Sequence, residues 1–177
     1  MIGNVPEAAG ELLRTAPRQE RSARRIHLIL DTAATLFAEV GYEATTTKHV
    51  SERARIAVGS VYHWFPDKVA LASALSERYV ESLTKRFEAR GNEVRLTTLT
   101  AFAADHPAFV ELLVASLTRG GPGERLRTEV VGLLGGPDSD VATAALVGVL
   151  AFARRGGREA VAACGTSLPR FFDESLR

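Results

Sequence analysis

A chain of 177 residues, 46% hydrophobic and 24% charged, carries enough apolar material for one large or two small folded units and is not a disordered polyelectrolyte. Its formal net charge is only +1, so bulk basicity points to no partner and only the distribution of charge can. The single Cys164 excludes an intramolecular disulfide and has no metal-ligand set beside it, and the apolar run 141–153 falls short of the ~20 residues that cross a bilayer. With no apolar signal segment in the first twenty residues, the chain reads as cytoplasmic and without cofactor.

Residues 1–20 contain Gly3, Pro6, Gly10 and Pro17 without periodicity and read as a flexible arm. Five arginines between Arg14 and Arg25 face one acid, Glu20, which makes the arm and its junction basic. A first helix is expected from about Ser22, where Ile26, Ile29, Ala33, Leu36, Phe37 and Val40 recur at helical spacing, and Gly41 ends it. Threonines 45–47 then offer a cap for a short helix that carries Val50 and Ala54. Arg55-Ile56-Ala57 interrupts the pattern, and a second short helix, Val58 to Trp64, must stop by Phe65 because Pro66 disfavours helical geometry before it.

Two such helices joined by a turn of about 3–4 residues have the helix-turn-helix form, in which the second enters the major groove of DNA. Tyr42, Val50, Ile56, Val61 and Phe65 are the expected core of this head, residues 21–66. Asp67 is the expected cap of a long connecting helix, 67–90, with Leu71, Leu75, Tyr79, Leu83 and Phe87 at intervals of four.

Beyond the connecting helix the chain reads as helical throughout, to residue 177. The segments are Val94–Ala104, Pro107–Thr118, Glu124–Leu134, Asp138–Arg155 and Arg158–Ser175, broken at glycines and prolines. No segment alternates with period two, so the fold class is all-α, a three-helix head joined by a long helix to a larger bundle.

From Arg24 to Leu71 the chain resembles the DNA-binding domain of the TetR family of transcriptional regulators. The likeness rests on Phe37-Ala38-Glu39-Val40-Gly41-Tyr42, Ala44-Thr45-Thr46, Val50, Ala54, Gly59-Ser60-Val61-Tyr62, Phe65 and Lys68 in that order. Two positions depart from the family pattern: Arg55 stands where a turn glycine is usual and Ala57 where a capping serine is usual. Losing that cap typically costs ~1 kcal/mol. Arg55 reaches the phosphate backbone or lies in solvent.

The expected DNA contacts follow from residue chemistry and from the resemblance together. Thr45, Thr46, Thr47 and Lys48 offer hydroxyls and charge to phosphates beside the helix amino termini. Ala57, Val58, Gly59 and Ser60 lie toward the groove, where Ala57 or Val58 can touch a thymine methyl. The resemblance implies phosphate contacts from Tyr62, His63, Trp64 and Lys68. Core packing is the other reading of Tyr62, and a solvated surface charge that of Lys68. Arg21, Arg24 and Arg25 follow the backbone or enter the minor groove. His27 and His49 are expected at the surface.

The helix expected at 138–155 is apolar almost all round and rich in alanine, so it is buried either in its own bundle or between two chains. The resemblance makes 67–177 a ligand-sensing and dimerisation unit and favours a homodimer on a palindromic operator, released when a small apolar or amphipathic molecule enters the bundle. Phe87, Phe102, His106 and Phe109 are candidates for that pocket or plain core. A helical regulator controlled by a protein partner, with no small ligand, is the alternative. An enzyme is disfavoured, since no phosphate loop, nucleophile motif or paired metal ligands occur.

Overall fold

The computed structural model describes residues 20–90, 95–116 and 123–134. Among the described residues there are seven helices and no strand, an all-helical arrangement. They are α1 (Glu20–Val40), α2 (Thr47–Ala54), α3 (Val58–Trp64), α4 (Lys68–Arg90), α5 (Arg95–Asp105), α6 (Pro107–Ser116) and α7 (Glu124–Leu134).

α1 begins two residues before the expected start and buries Ile26, Ile29, Ala33, Leu36 and Phe37, each at most 5% exposed. Gly41 ends it at φ +89°, with its N–H bonded to the Phe37 carbonyl 3.1 Å away. A side chain there would be strained by the backbone and would also stand 3.2 Å from the Glu111 carboxylate. Val40 departs from its expected place in the buried stripe: it is 53% exposed and lines an open cleft with Leu36, Ala44 and side chains of α2. The chain turns away at Gly41, so among the described residues that side of the last helical turn stays open to the cleft.

Thr46 caps α2 by accepting a 3.1 Å hydrogen bond from the His49 N–H. α2 closes in a Schellman arrangement, in which the Ile56 N–H bonds to the Ser51 carbonyl and the Arg55 N–H to that of Glu52. Arg55 is therefore held left-handed, at φ 55° and ψ 44°. α3 occupies the expected residues, starts at Ala57 without a side-chain cap and stops at Phe65.

Asp67 caps α4 through a 2.7 Å bond from the Ala70 N–H. Leu71, Leu75, Tyr79, Leu83 and Phe87 are all buried along α4, which packs on α1 and on α5, α6 and α7. α6 returns onto α1, so the head is tied to the bundle by more than the connecting helix. α5 runs one residue later than expected at both ends, and α7 occupies its expected span. The helices expected at Asp138–Arg155 and Arg158–Ser175, and the arm before Glu20, lie outside the described residues.

Candidate nucleic-acid interface

α3 is amphipathic in a way that decides its use. Val61 and Trp64, three apart, point inward at 0% and 6% exposure, while Val58 and Tyr62, four apart, are each 42% exposed. Ala57, Gly59 and His63 are also exposed and Ser60 is partly so. A Cβ placed on Gly59 would meet nothing within 4 Å, so the outward side of the helix is open there.

Trp64, expected among the contacts, is mostly drawn into the head core beneath α3, at 6% exposure, yet it also lines the cleft beside Arg21 and Arg25. Its spacing of three from buried Val61 carries the signal: both lie on one side of the helix. The His63 ring stands edge-on to it, 4.6 Å between centroids.

The threonines separate by function. Thr46 is exposed at the α2 cap. Thr45 is 1% exposed and donates to the Gly41 carbonyl at 2.8 Å, so its hydroxyl serves the α1–α2 connection and not the surface. Thr47, 7% exposed, donates to the Tyr62 phenol at 2.9 Å. Lys48 is exposed, with Glu52 at 3.8 Å one turn along α2.

The basic residues of α1 run beside α3. Arg21 and Arg25 line an open cleft of about 440 Å³ together with Ser22, Gly59, Ser60, His63 and Trp64. The Arg25 guanidinium lies 3.4 Å from the Ser60 hydroxyl, 35 residues away in sequence. Arg24 points elsewhere and pairs with Glu20 one turn earlier. Two guanidiniums thus flank α3 along the side that carries Gly59, Ser60 and His63.

Lys68 is more deeply engaged than a lysine at a helix start suggests. Its ammonium donates to the carbonyls of Tyr42 and Glu43, 3.0 Å each, and stands 4.2 Å from the Tyr42 ring centroid. Two of its three donors are spent inside the protein, which ties α4 to the α1–α2 connection. Burial, with Glu43 and Asp67 adding to it, pushes the Tyr42 phenol up to about 12, so the ring beneath that ammonium stays neutral.

Of the residues considered for a ligand pocket, Phe102, His106 and Phe109 come together as packed rings. Phe102 and Phe109 are fully buried with centroids 5.1 Å apart, Tyr79 stands edge-on to both, and the His106 ring lies 4.3 Å from that of Phe102. Arg86 covers the Phe102 ring at 5.0 Å. Burial first, then the positive charge of Arg86, holds His106 below the usual imidazole value; Asp105 opposes this and Arg78 adds to it. Phe87 is buried on α4, at 7% exposure.

Glu111, on α6, escapes sequence reasoning altogether. Its carboxylate lies 3.4 Å from the Tyr42 N–H, across 69 residues, where the head meets the bundle. Arg78 on α4 likewise reaches Asp31 on α1 at 2.6 Å. No local pattern signals either contact. Among the described residues no group of three or more His, Cys, Asp or Glu side chains could hold a metal ion, and no helix is long and apolar enough to cross a membrane.

Comparison with known proteins adds an independent line. Residues 29–75 match the family described as bacterial regulatory proteins, tetR family. The chain is 38% identical over 96 residues to the HTH-type transcriptional repressor KstR2 of Rhodococcus jostii, covering 54% of this chain and 42% of that protein. It is 30% identical over 129 residues to the repressor KstR of Mycolicibacterium smegmatis, covering 72% and 56%. The chain spans about half the length of these curated relatives. In fold it is similar to a transcriptional regulator of the TerR/AcrR family from Aquifex aeolicus, with a TM-score of 0.54 at 18% identity over 81% of this chain and 98% of that one.

Proposed function

From the premise that the chain belongs to the TetR family of bacterial regulatory proteins, we propose that it is a repressor that binds a palindromic duplex operator as a homodimer. Members of this family are transcriptional regulators, not enzymes. The carrying observation is the outward side of α3, small and open at Ala57, Val58 and Gly59, with Arg21 and Arg25 alongside to meet phosphates. Thr46 and Lys48 at the start of α2, and the remaining donor of Lys68, extend the same surface along the backbone. The repressor names of the relatives support the sign of regulation.

Dimerisation falls to the small-residue helix read at 138–155, and a twofold pair would present two copies of α3 about one DNA turn apart, ~34–36 Å. The effector is an apolar or amphipathic molecule that enters the bundle and shifts α4 relative to the head. The close packing of Phe102 and Phe109 favours a second reading, control by a protein partner, because a ligand at that cluster must first displace a ring.

Fluorescence anisotropy of the full chain on duplex DNA flanking its own gene, against a scrambled duplex, tests the proposal. Preference for the flanking DNA is expected, with affinity that falls steeply as salt rises. Equal binding to both duplexes at every salt concentration would overturn it. Displacement of a bound apolar dye, anilinonaphthalene sulfonate, by medium-chain carboxylates separates the ligand reading from partner control.

A further inference from the structure

We infer that Val58 is the specificity-determining residue of α3 and that it recognises thymine through the 5-methyl group. This rests on the duplex-binding reading above and deepens it. Bidentate recognition of a purine in the major groove needs the fork of Arg, Lys, Asn or Gln. No such residue occurs between Ala57 and Trp64. The hydroxyls that α3 does carry, Ser60 in its first turn and the Tyr62 phenol beyond it, accept from Arg25 at 3.4 Å and from Thr47 at 2.9 Å, and each offers a single O–H that cannot supply that fork.

The amino-terminal residues of a recognition helix are the ones that meet base edges. Here that end offers the Ala57 methyl, the Val58 isopropyl group, 42% exposed, the empty position at Gly59 and the one hydroxyl of Ser60. No packing demand explains the missing side chain at Gly59, since a Cβ there would touch nothing. Its absence lets the helix settle closer to the duplex and brings Val58 down onto the floor of the groove. Of the four bases only thymine presents a methyl group there, so an isopropyl group selects it by apolar contact and rejects cytosine, which lacks the methyl.

The test uses the full chain and a duplex enriched from a random-sequence pool. Each thymine is replaced in turn by 2′-deoxyuridine, which removes the methyl and leaves base pairing intact. One position in each half-site should lose about fourfold in affinity, the loss that follows when one buried methyl-sized group is removed. Val58→Ala should bind the methyl-bearing and methyl-free duplexes equally, and Val58→Gln should move the preference at that position to adenine. Val58 is exposed, and unchanged circular dichroism and melting would verify that both variants fold. If no position responds to loss of the methyl, or if Val58→Ala responds as the parent does, the inference fails. A guanine requirement abolished by Arg25→Ala, with no thymine effect, would assign the reading to Arg25 and also overturn it. If no sequence is enriched at all, the duplex-binding reading falls with it.

Discussion

The phenolic oxygen of Tyr62, on the outward side of α3, accepts a 2.9 Å hydrogen bond from the hydroxyl of Thr47, the first residue of α2. The bond joins the two short helices on the side where the duplex would lie, and so helps to hold the angle between them. Tyr62→Phe should cost about 0.5–1.5 kcal/mol in urea unfolding, the worth of a neutral hydrogen bond. Thr47→Val added to it should cost less than it does alone, because the partner is already gone. Strictly additive losses would mean that the two groups do not cooperate in solution.

Lys68 gives a second outcome that separates a structural from a binding role. Its ammonium bridges the carbonyls of Tyr42 and Glu43, and its side chain is 26% exposed. Lys68→Ala should lower stability by about 1–2 kcal/mol, toward the low end for charge-assisted hydrogen bonds because water still reaches the group. If the third donor also meets a phosphate, affinity should fall by the same factor for preferred and random duplexes. Unfolding midpoints and anisotropy on the same samples read both effects.

Arg55 is the single non-glycine residue with positive φ among the described residues. Left-handed backbone costs a side-chain-bearing residue roughly 1–2 kcal/mol, and glycine returns about 0.4–1 of that through its freer unfolded chain. Arg55→Gly should therefore raise the melting temperature by about 1–4 °C in a protein of this size. The same variant decides whether the guanidinium touches DNA. A contact predicts a salt dependence shallower by about one unit of slope, and a solvated arginine predicts none.

His106 predicts a pH dependence of stability. Burial and Arg86 hold the folded imidazole below its ordinary value of 6.5, so the unfolded chain takes up this proton first as the pH falls. Stability from this residue is unaffected above that value, declines as the pH drops through it, and levels off once the folded imidazole also protonates. His106→Asn should remove that part of the slope as the pH falls below about 6.5 in urea unfolding, while its lost ring contacts lower stability at every pH. An unchanged slope would refute the assignment.

Much of the architecture was legible in the residues because its determinants are local. The span of α3 follows from Pro66 and the apolar spacing before it, and the start of α4 follows from the Asp67 cap. The αL turn at Arg55 lies in the break read between two helices, although nothing local announces that arginine would tolerate it. Hydrogen bonds and side-chain rows three or four residues apart depend on neighbours that the chain itself supplies. Helix identity and the outward placement of Val58 and Gly59 therefore come from the sequence alone.

Other placements belong to the tertiary structure. Trp64 becomes core, Thr45 and Thr47 turn their hydroxyls inward, Val40 is left uncovered, and Lys68 spends its charge on two carbonyls 25 and 26 residues away. Glu111 meets the Tyr42 N–H across 69 residues. Whether a polar side chain faces solvent or an interior partner depends on which distant segment arrives beside it. Helical periodicity describes a face but does not name what covers it, and only the packed chain supplies that answer.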